Sequence, residues 1–176
     1  MGEALSDYFA MLRDALSLGP PPELEQAADV LRNADVVYTF GNGACAALAG
    51  HIATDLGKGA GMRVVSLVEN AALLTAYAND HDYDCVFEQP LRALLRPGDV
   101  AFGLSASGRS TNVITALEFA READARTIAF TGSMDGTERL AACCDVVVRA
   151  PLDVIEQIED LHVIYAHVLL RMLKDA

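Results

Sequence analysis

The sequence predicts an α/β fold in three layers, with a doubly wound, five-stranded parallel sheet flanked by helices. Five short runs rich in β-branched residues recur along the chain. Their apolar residues are continuous rather than alternating, which is typical of strands buried on both faces. Segments with helical periodicity separate these runs, so each connection between strands is predicted to be a helical crossover. A length of 176 residues suits one domain with a full core.

The predicted elements alternate along the chain. Two helices precede the first strand, within residues 4–33, and the prolines at residues 20–22 suit the entry of the second helix. The five predicted strands are residues 35–40, 63–68, 99–104, 126–130 and 145–149. The crossover helices are residues 44–56, 71–78, 86–95, 111–123 and 137–143. A final long helix covers residues 153–173. Since the sequence has no internal repeat or linker, residues 1–176 are expected to form a single domain, with the sheet and its crossover helices within residues 35–150.

The charge of the chain restricts its partners. Its 25 acidic residues against 13 lysines and arginines give a formal net charge of −12. Such a surface repels a phosphate backbone, so we expect no binding of nucleic acid. The same field opposes any phosphorylated small molecule, which therefore needs a local site of neutral or dipolar donors.

We expect the protein to work in the cytoplasm and not in a membrane. No apolar run approaches the roughly 20 residues of a membrane span, and the N-terminal segment lacks the pattern of a signal peptide. The chain has no CxxC motif, so its cysteines are predicted to be small buried residues in a reducing cytoplasm. They are Cys45, Cys85, Cys143 and Cys144.

A loop rich in serine and glycine follows the third predicted strand and leads directly into a helix. Its sequence, SASGRS, covers residues 105–110. Glycine lets such a turn close tightly, the helix N-terminus supplies free N–H groups, and serine hydroxyls add neutral donors. We interpret the loop as an anion site; the alternative is that Ser110 only caps the helix and the other residues only line a turn. The first strand ends comparably in Gly41-Asn42-Gly43, at the same edge of the sheet.

Ionisable residues recur at helical spacing on two predicted helices. His51 and Asp55 are four residues apart and differ by about 40° around one helix, so they share a face. On the last helix, Glu156, Glu159, Asp160 and His167 fall within an arc of about 100°, whereas His162 lies about 140° from His167. A carboxylate and an imidazole from separate helices are therefore positioned to converge near the sheet edge. The alternatives are that Asp55 caps a helix or pairs with Lys58, and that the acidic residues of the last helix form a solvated face.

Several segments, in this order and with compatible spacing, together resemble one protein family. They are FGNG before the helix with His51, then ANDHDY, then RPGDVAFGLSASGRSTNVITALEFAREADARTIAFTG, and finally EQIEDLH with a later histidine. This pattern resembles the phosphoheptose isomerase branch of the sugar isomerase (SIS) domain proteins. The resemblance implies a SIS domain that isomerises sedoheptulose 7-phosphate to D-glycero-D-manno-heptose 7-phosphate by proton transfer through an enediol. It also implies a cytoplasmic homotetramer with sites shared between subunits.

The resemblance further implies roles for individual residues. The catalytic pair would be Asp55 and His167, because this isomerisation needs one group for a carbon-bound proton and another for the protons on oxygen. A metal site, compatible with zinc, would consist of His51, Asp55, Glu159 and His167. The positions that would bind phosphate or sugar are Asn42, Gly43, Cys45, Asn79, Asp80, Ser105, Ala106, Ser107, Ser110, Glu156 and Glu159.

Four positions depart from the family pattern. Asp55 stands where the family has a glutamate, Glu159 where it has a glutamine, Cys45 where it has a serine, and Leu48 where an aspartate is common. The shorter side chain of Asp55 sets its carboxylate back by about 1.5 Å, one C–C bond length. The substitutions leave three readings open: an isomerase with a more metal-dependent site, an isomerase of another ketose phosphate, or a non-catalytic member that binds a phosphosugar or a protein partner.

Overall fold

The structure, a computed structural model, describes the backbone of residues 2–174 and the side chains of residues 6–174. The helices are α1 Gly2–Ser17, α2 Glu23–Arg32, α3 Ala44–Thr54, α4 Ala71–Asp80, α5 Glu88–Leu94, α6 Thr111–Glu122, α7 Glu138–Ala142 and α8 Ile155–Lys174. The strands are β1 Val37–Gly41, β2 Val64–Ser66, β3 Val100–Leu104, β4 Arg126–Thr131 and β5 Val146–Arg149. Two short segments complete the pattern, a π-helical turn at Asp55–Gly59 and a 3₁₀ turn at Tyr83–Cys85.

All five strands are parallel and lie in the order β2-β1-β3-β4-β5. The predicted doubly wound sheet is therefore confirmed. The chain order reverses between β1 and β3, which pair over their full length from Val37↔Val100 to Gly41↔Leu104. Both strands are buried throughout, which explains their continuous apolar sequence.

Helices cover both faces of the sheet, so the three predicted layers are also confirmed. One hydrophobic core joins the sheet to α2, α3 and α8, and a second core joins it to α5, α6 and α7. The first core brings α3 and α8 into contact with each other, which decides where their polar faces meet. Within residues 2–174, no helix is long and apolar enough to cross a membrane.

The structure differs from the predicted boundaries at three places that matter locally. The helix predicted over residues 44–56 changes to a π-helical turn at Asp55. The strand predicted over residues 63–68 is only Val64–Ser66. It lies at the edge of the sheet, where hydrogen bonds to a single neighbouring strand hold it. The helix predicted over residues 86–95 starts at Glu88, after the 3₁₀ turn that contains Tyr83.

His162, expected to point away from His167, is buried in α8 and is fully inaccessible. Its Nε2–H donates to the carbonyl of Thr131 at 3.1 Å, and its ring lies 5.4 Å from that of Phe130. Burial lowers the pKa of His162 from its ordinary 6.5 to about 4, because the cation would lose its hydration. The neutral imidazole is therefore part of the core that joins α8 to β4.

This pKa shift predicts an acid-dependent loss of stability. Below pH 6.5 the unfolded chain binds a proton at His162 that the folded protein does not bind until about pH 4. The neutral His162 therefore makes its full contribution to the free energy of unfolding above pH 6.5. This free energy falls by about 3 kcal/mol as the pH drops from 6.5 to 4. Urea unfolding at several pH values measures this slope.

A matched pair of variants isolates the group. His162→Gln keeps a donor for Thr131 but cannot titrate, so its slope between pH 6.5 and 4 should be shallower than that of the wild type. His81→Gln, at an exposed position, should keep the wild-type slope. An unchanged slope in His162→Gln contradicts the prediction.

Candidate active site

The carboxyl ends of β1 and β3 lie side by side, at the point where the strand order reverses. Because Gly41 pairs with Leu104, the next residues, Asn42 and Ser105, begin two loops at the same place on the sheet edge. In doubly wound sheets this crevice is where ligands bind. The two glycine-containing turns singled out in the sequence therefore lie next to each other.

The loop of residues 105–110 offers several hydrogen-bond donors to an anion. The hydroxyls of Ser105 and Ser110 lie 3.0 Å apart, and the Ser107 hydroxyl accepts a hydrogen bond from the backbone N–H of Arg109. Ser110 precedes α6, but its side chain makes no capping bond, which counts against the alternative that it only caps the helix. In the described chain, the N–H groups of Thr111 and Asn112 have no backbone acceptor, as expected for a helix N-terminus.

A cavity of about 160 Å³ separates this loop from α3 and α8. It is lined by Asn42, Cys45, Leu104, Ser105, Ala106, Ser107, Ser110, Ile155 and Glu159. Burial raises the pKa of the Cys45 thiol, an effect partly offset by the backbone N–H of Ala106. Cys45 is therefore a neutral, weak donor in this wall.

Glu159 introduces negative charge at the same cavity. Burial raises the pKa of its carboxyl, and the neighbouring carboxylates of Glu156 and Asp160 raise it further. These causes all disfavour the ionised form. The ionised carboxylate of Glu159 would also repel a bound phosphate. A nearby cation would favour this ionised form and offset the repulsion, whereas a neutral glutamine at this position would need no such cation.

Two histidines and one carboxylate converge from α3, the π-helical turn and α8. His51 Nε2 lies 2.9 Å from His167 Nε2, and Asp55 Oδ2 lies 3.4 Å from the first nitrogen and 3.7 Å from the second. Asp55 is the first residue of the π-helical turn, a feature frequent at functional sites. Despite its short side chain, Asp55 therefore reaches both imidazoles, and no pairing with Lys58 is present.

This donor set fits a transition-metal ion. The three ligand atoms all lie within 4.8 Å of one another, and atoms bound at about 2.0–2.2 Å to one tetrahedral zinc ion have similar mutual distances. Imidazole nitrogen and carboxylate oxygen are both ligands that zinc accepts. In the described chain Glu159, the fourth predicted ligand, stays outside this group.

A larger cavity, of about 500 Å³, lies beside the two histidines. Its walls include His51, His167 and Leu48, and it shares Cys45 and Glu159 with the smaller cavity. The space beside the clustered imidazoles is thus next to the space beside the serine loop, with Cys45 and Glu159 bordering both. The two neighbouring cavities suit a molecule with an anionic group at one end and a reactive centre at the other.

Some residues expected at the site lie elsewhere in their own chain. Asn79 and Asp80 are at the exposed C-terminal end of α4, where the Asn79 amide donates to the Asp80 carboxylate at 2.7 Å. Neither lines the two cavities, and neither does the exposed Glu156. Gly43, also exposed, precedes α3 and borders the crevice only through its neighbour Asn42.

Sequence reasoning missed two residues that contact Asn42. The buried Asn112 pairs with its amide, and the Tyr83 hydroxyl donates to its carbonyl oxygen. Tyr83 belongs to the ANDHDY segment and Asn112 follows the serine loop almost directly. Their positions in these motifs were the available signal, but their contact with Asn42 depends on how three loops meet in space.

Gly108 allows the serine loop to adopt its shape, which generates a prediction. Its φ is +66°, and an added Cβ would lie 2.8 Å from Thr131 Oγ1. Gly108→Ala should therefore distort the loop, weaken the binding of inorganic phosphate by at least about 10-fold, and reduce stability by about 1–2 kcal/mol or more. Isothermal titration calorimetry and urea unfolding measure the two effects.

Gly61→Ala is the matched control. Gly61 has a similar φ of +68°, but nothing lies within 4 Å of its added Cβ. It should lose about 1 kcal/mol of stability and keep the wild-type affinity for phosphate. Equal phosphate affinity in Gly108→Ala and the wild type would show that the loop does not hold the anion.

Comparison with known proteins places the chain in a family. The model of the SIS domain matches residues 23–132. The phosphoheptose isomerase of Rhodospirillum rubrum is 35% identical over 183 residues, covering 99% of this chain and 94% of the relative. That of Aquifex aeolicus is 36% identical over 153 residues, covering 84% of this chain and 79% of the relative.

A solved structure extends the similarity to three dimensions. The structure of phosphoheptose isomerase from Neisseria gonorrhoeae matches with a TM-score of 0.90 and 32% identity, covering 99% of each chain. Sequence and structure therefore agree over nearly the full length. The chain belongs to the SIS domain family and, within it, to the phosphoheptose isomerases.

Proposed function

We propose that this protein isomerises sedoheptulose 7-phosphate to D-glycero-D-manno-heptose 7-phosphate. The observation that carries the proposal is the convergence of His51, Asp55 and His167. The two histidines line a cavity that shares Cys45 and Glu159 with the cavity at the serine loop. The reaction moves a carbon-bound proton between C1 and C2 of the open-chain sugar, and it moves a second proton between the two oxygens. Such transfers need a base, a second titratable group and a fixed phosphate.

The phosphate binds at the serine loop in this proposal. Ser105, Ser107 and Ser110 supply hydroxyl donors, and the N-terminus of α6 supplies N–H groups and the positive end of its dipole. These donors are neutral or dipolar, as the strongly acidic chain requires. Holding the phosphate there places the other end of the sugar in the larger cavity.

Asp55 is the base that removes the proton from C1 and returns it to C2. Its side chain is 24% exposed, so a bound substrate would displace much of the water that still reaches the carboxylate. Oδ2 faces both imidazoles, and within residues 2–174 Asp55 has no hydrogen bond through Oδ1. His167, whose imidazole can accept a proton at one ring nitrogen and donate one from the other, moves the proton between O1 and O2.

The same residues would hold a zinc ion. His51, Asp55 and His167 would be its ligands, with Glu159 proposed as the fourth. The ion would supply a Lewis acid that polarises the sugar carbonyl. Glu159 stands where the family has a neutral glutamine, so it adds a negative charge beside an anionic substrate. The cation would offset this charge, which makes substrate binding and turnover more dependent on the metal.

Loss of turnover in two variants tests the proposal. The conversion of sedoheptulose 7-phosphate is followed by NMR with added zinc and after chelation. Asp55→Asn and His167→Ala should each reduce kcat by about 100-fold or more, since each removes a proton-transfer group. Asp124→Asn, at an exposed position just before β4 and so at the opposite edge of the sheet, should keep wild-type turnover.

The metal is tested separately by binding. Equilibrium dialysis should find one zinc per wild-type chain and a large loss of affinity in His51→Ala. Glu159→Gln should weaken zinc binding and leave the protein folded.

Wild-type protein that turns over no ketose phosphate would overturn the proposed activity and favour a member that only binds sugar phosphates or protein partners.

We propose further that the chain assembles as a cytoplasmic homotetramer whose subunits share sites. Support comes from apolar surface that is open in one chain: Phe9 is 64% exposed, Leu18 is 73% exposed, and no side chain of α4 is fully buried. Sharing between copies would also bring Asn79 and Asp80 to a sugar site. The four free cysteines are consistent with a reducing compartment.

Substitutions on α1 and just after it test the assembly. Phe9→Gln and Leu18→Gln should shift the protein from tetramer to smaller species, because each removes apolar area from a subunit contact. Light scattering after gel filtration measures the mass. Leu94→Gln, at a residue 45% exposed on α5, is the matched control and should stay tetrameric. Wild-type protein that elutes as a monomer contradicts the proposal.

A further inference from the structure

Asn42 is held in a face-to-face pair of carboxamides. Its Nδ2 donates to Asn112 Oδ1 at 2.8 Å, and Asn112 Nδ2 donates to Asn42 Oδ1 at 3.0 Å. Asn112 is only 2% exposed and lies in the first turn of α6. The buried Asn112 therefore fixes the orientation of Asn42, which is half-buried at the ligand crevice.

The backbone fixes which way both amides face. The N–H of Val113 lies 2.9 Å from Asn112 Oδ1, and a backbone N–H can only donate, so the atom facing it is an oxygen. The Asn42 atom that faces the same oxygen must then be the nitrogen. The Tyr83 hydroxyl, 3.0 Å from Asn42 Oδ1, completes this orientation by donating to the carbonyl oxygen.

A count of donors and acceptors leaves Asn42 one free function. Its carbonyl oxygen has two acceptor positions, and Asn112 and Tyr83 use both. Its amino group has two hydrogens, and the bond to Asn112 uses one. The remaining N–H belongs to a side chain that lines the 160 Å³ cavity together with Ser105 and Glu159.

We propose that Asn112 and Tyr83 are positioning residues that restrict Asn42 to a single N–H donor. Resting on the proposed function, this N–H donates to an acceptor oxygen of the bound sugar phosphate, either the carbonyl oxygen that gains charge in the reaction or a phosphoryl oxygen. A free asparagine would offer a ligand either its carbonyl or its amino group. We call the side chains of Asn112 and Tyr83 together the clamp. Because the clamp occupies the carbonyl oxygen of Asn42, only the N–H is left for a ligand, and the site favours ligand oxygen atoms that carry no hydrogen.

The hydrogen bond from Tyr83 to Asn42 orients a donor for the ligand and does little for the stability of the fold. Tyr83 is 58% exposed, so its hydroxyl can bond to water as easily as to Asn42 and contributes little to folding. A donor that is already oriented needs no reorganisation when negative charge develops on the substrate. The expected effect of losing Tyr83 is therefore on kcat and ligand affinity rather than on unfolding.

A double-mutant cycle tests the coupling. Asn42→Ala should lower kcat by about 100-fold, as for the loss of one oriented donor, and Tyr83→Phe by about 5-fold. Because Tyr83 acts through Asn42, Tyr83→Phe should change kcat by less than about twofold in the Asn42→Ala background. Independent, multiplicative effects would overturn the proposal. Tyr77→Phe, whose hydroxyl has no hydrogen bond to the described residues, should keep wild-type kcat.

A second readout does not need turnover. The two side-chain amide protons of Asn42 should have a separation in ¹⁵N-edited NMR spectra that differs from that of a free amide, and this separation should move towards the free-amide value in Tyr83→Phe and further in Asn112→Ala. Titration with inorganic phosphate and with sedoheptulose 7-phosphate then identifies the partner. A shift with both ligands assigns the N–H to the phosphoryl group, and a shift with the sugar phosphate alone assigns it to a sugar oxygen.

The two proposals fail in different ways. If the wild type turns over no ketose phosphate, the proposed activity is wrong, and the amide resonances still decide whether the clamp orients Asn42 toward a ligand. If the wild type isomerises its substrate but the Asn42 resonances respond to neither ligand, the clamp inference is wrong and the proposed function stands. Melting temperatures of the variants distinguish loss of folding from either result.

Discussion

The pairing of β1 with β3 is the interaction on which the rest of the site depends. Because these two strands lie side by side in register, the loops that begin at Asn42 and Ser105 open at the same place. The helix that follows each loop then starts at this edge, so α3 and α6 both direct their N-termini to it. A different strand order would separate the serine loop from the imidazole pair by the width of at least one strand, about 5 Å.

The electrostatics of the chain explain the composition of the anion site. A net charge of −12 opposes a phosphate at long range. The donors near the cavity are hydroxyls, a thiol, backbone N–H groups and one oriented amide, whose attraction is short-ranged and directional. Arg109, the charged residue of the loop, is exposed. Glu159 adds a negative charge on the opposite wall, which is unfavourable for the phosphosugar unless a cation lies beside it.

Much of the fold followed from the sequence, and part of the site did. Buried parallel strands have an unmistakable apolar pattern, so all five were predicted, most within one or two residues of their observed bounds, and the short edge strand β2 was predicted at twice its observed length. Spacing of four residues correctly put His51 and Asp55 together. The change to a π-helical turn at Asp55 left no such pattern, because backbone hydrogen-bond shifts of one residue do not alter hydrophobic periodicity. The contact of Tyr83 with Asn42 joins residues 41 positions apart.

By itself the sequence determined the strands, the order of the motifs and the chemical nature of the groups near each strand end. These properties depend on local propensity and periodicity, which are written in consecutive residues. Only the tertiary structure decided which groups meet. It brought His51 and His167 within 2.9 Å across 116 residues, kept Asn79 and Asp80 outside the cavities of their own chain, and turned His162 into the core. The reason is that such distances depend on how α3 and α8 pack over the sheet, a property of the whole core.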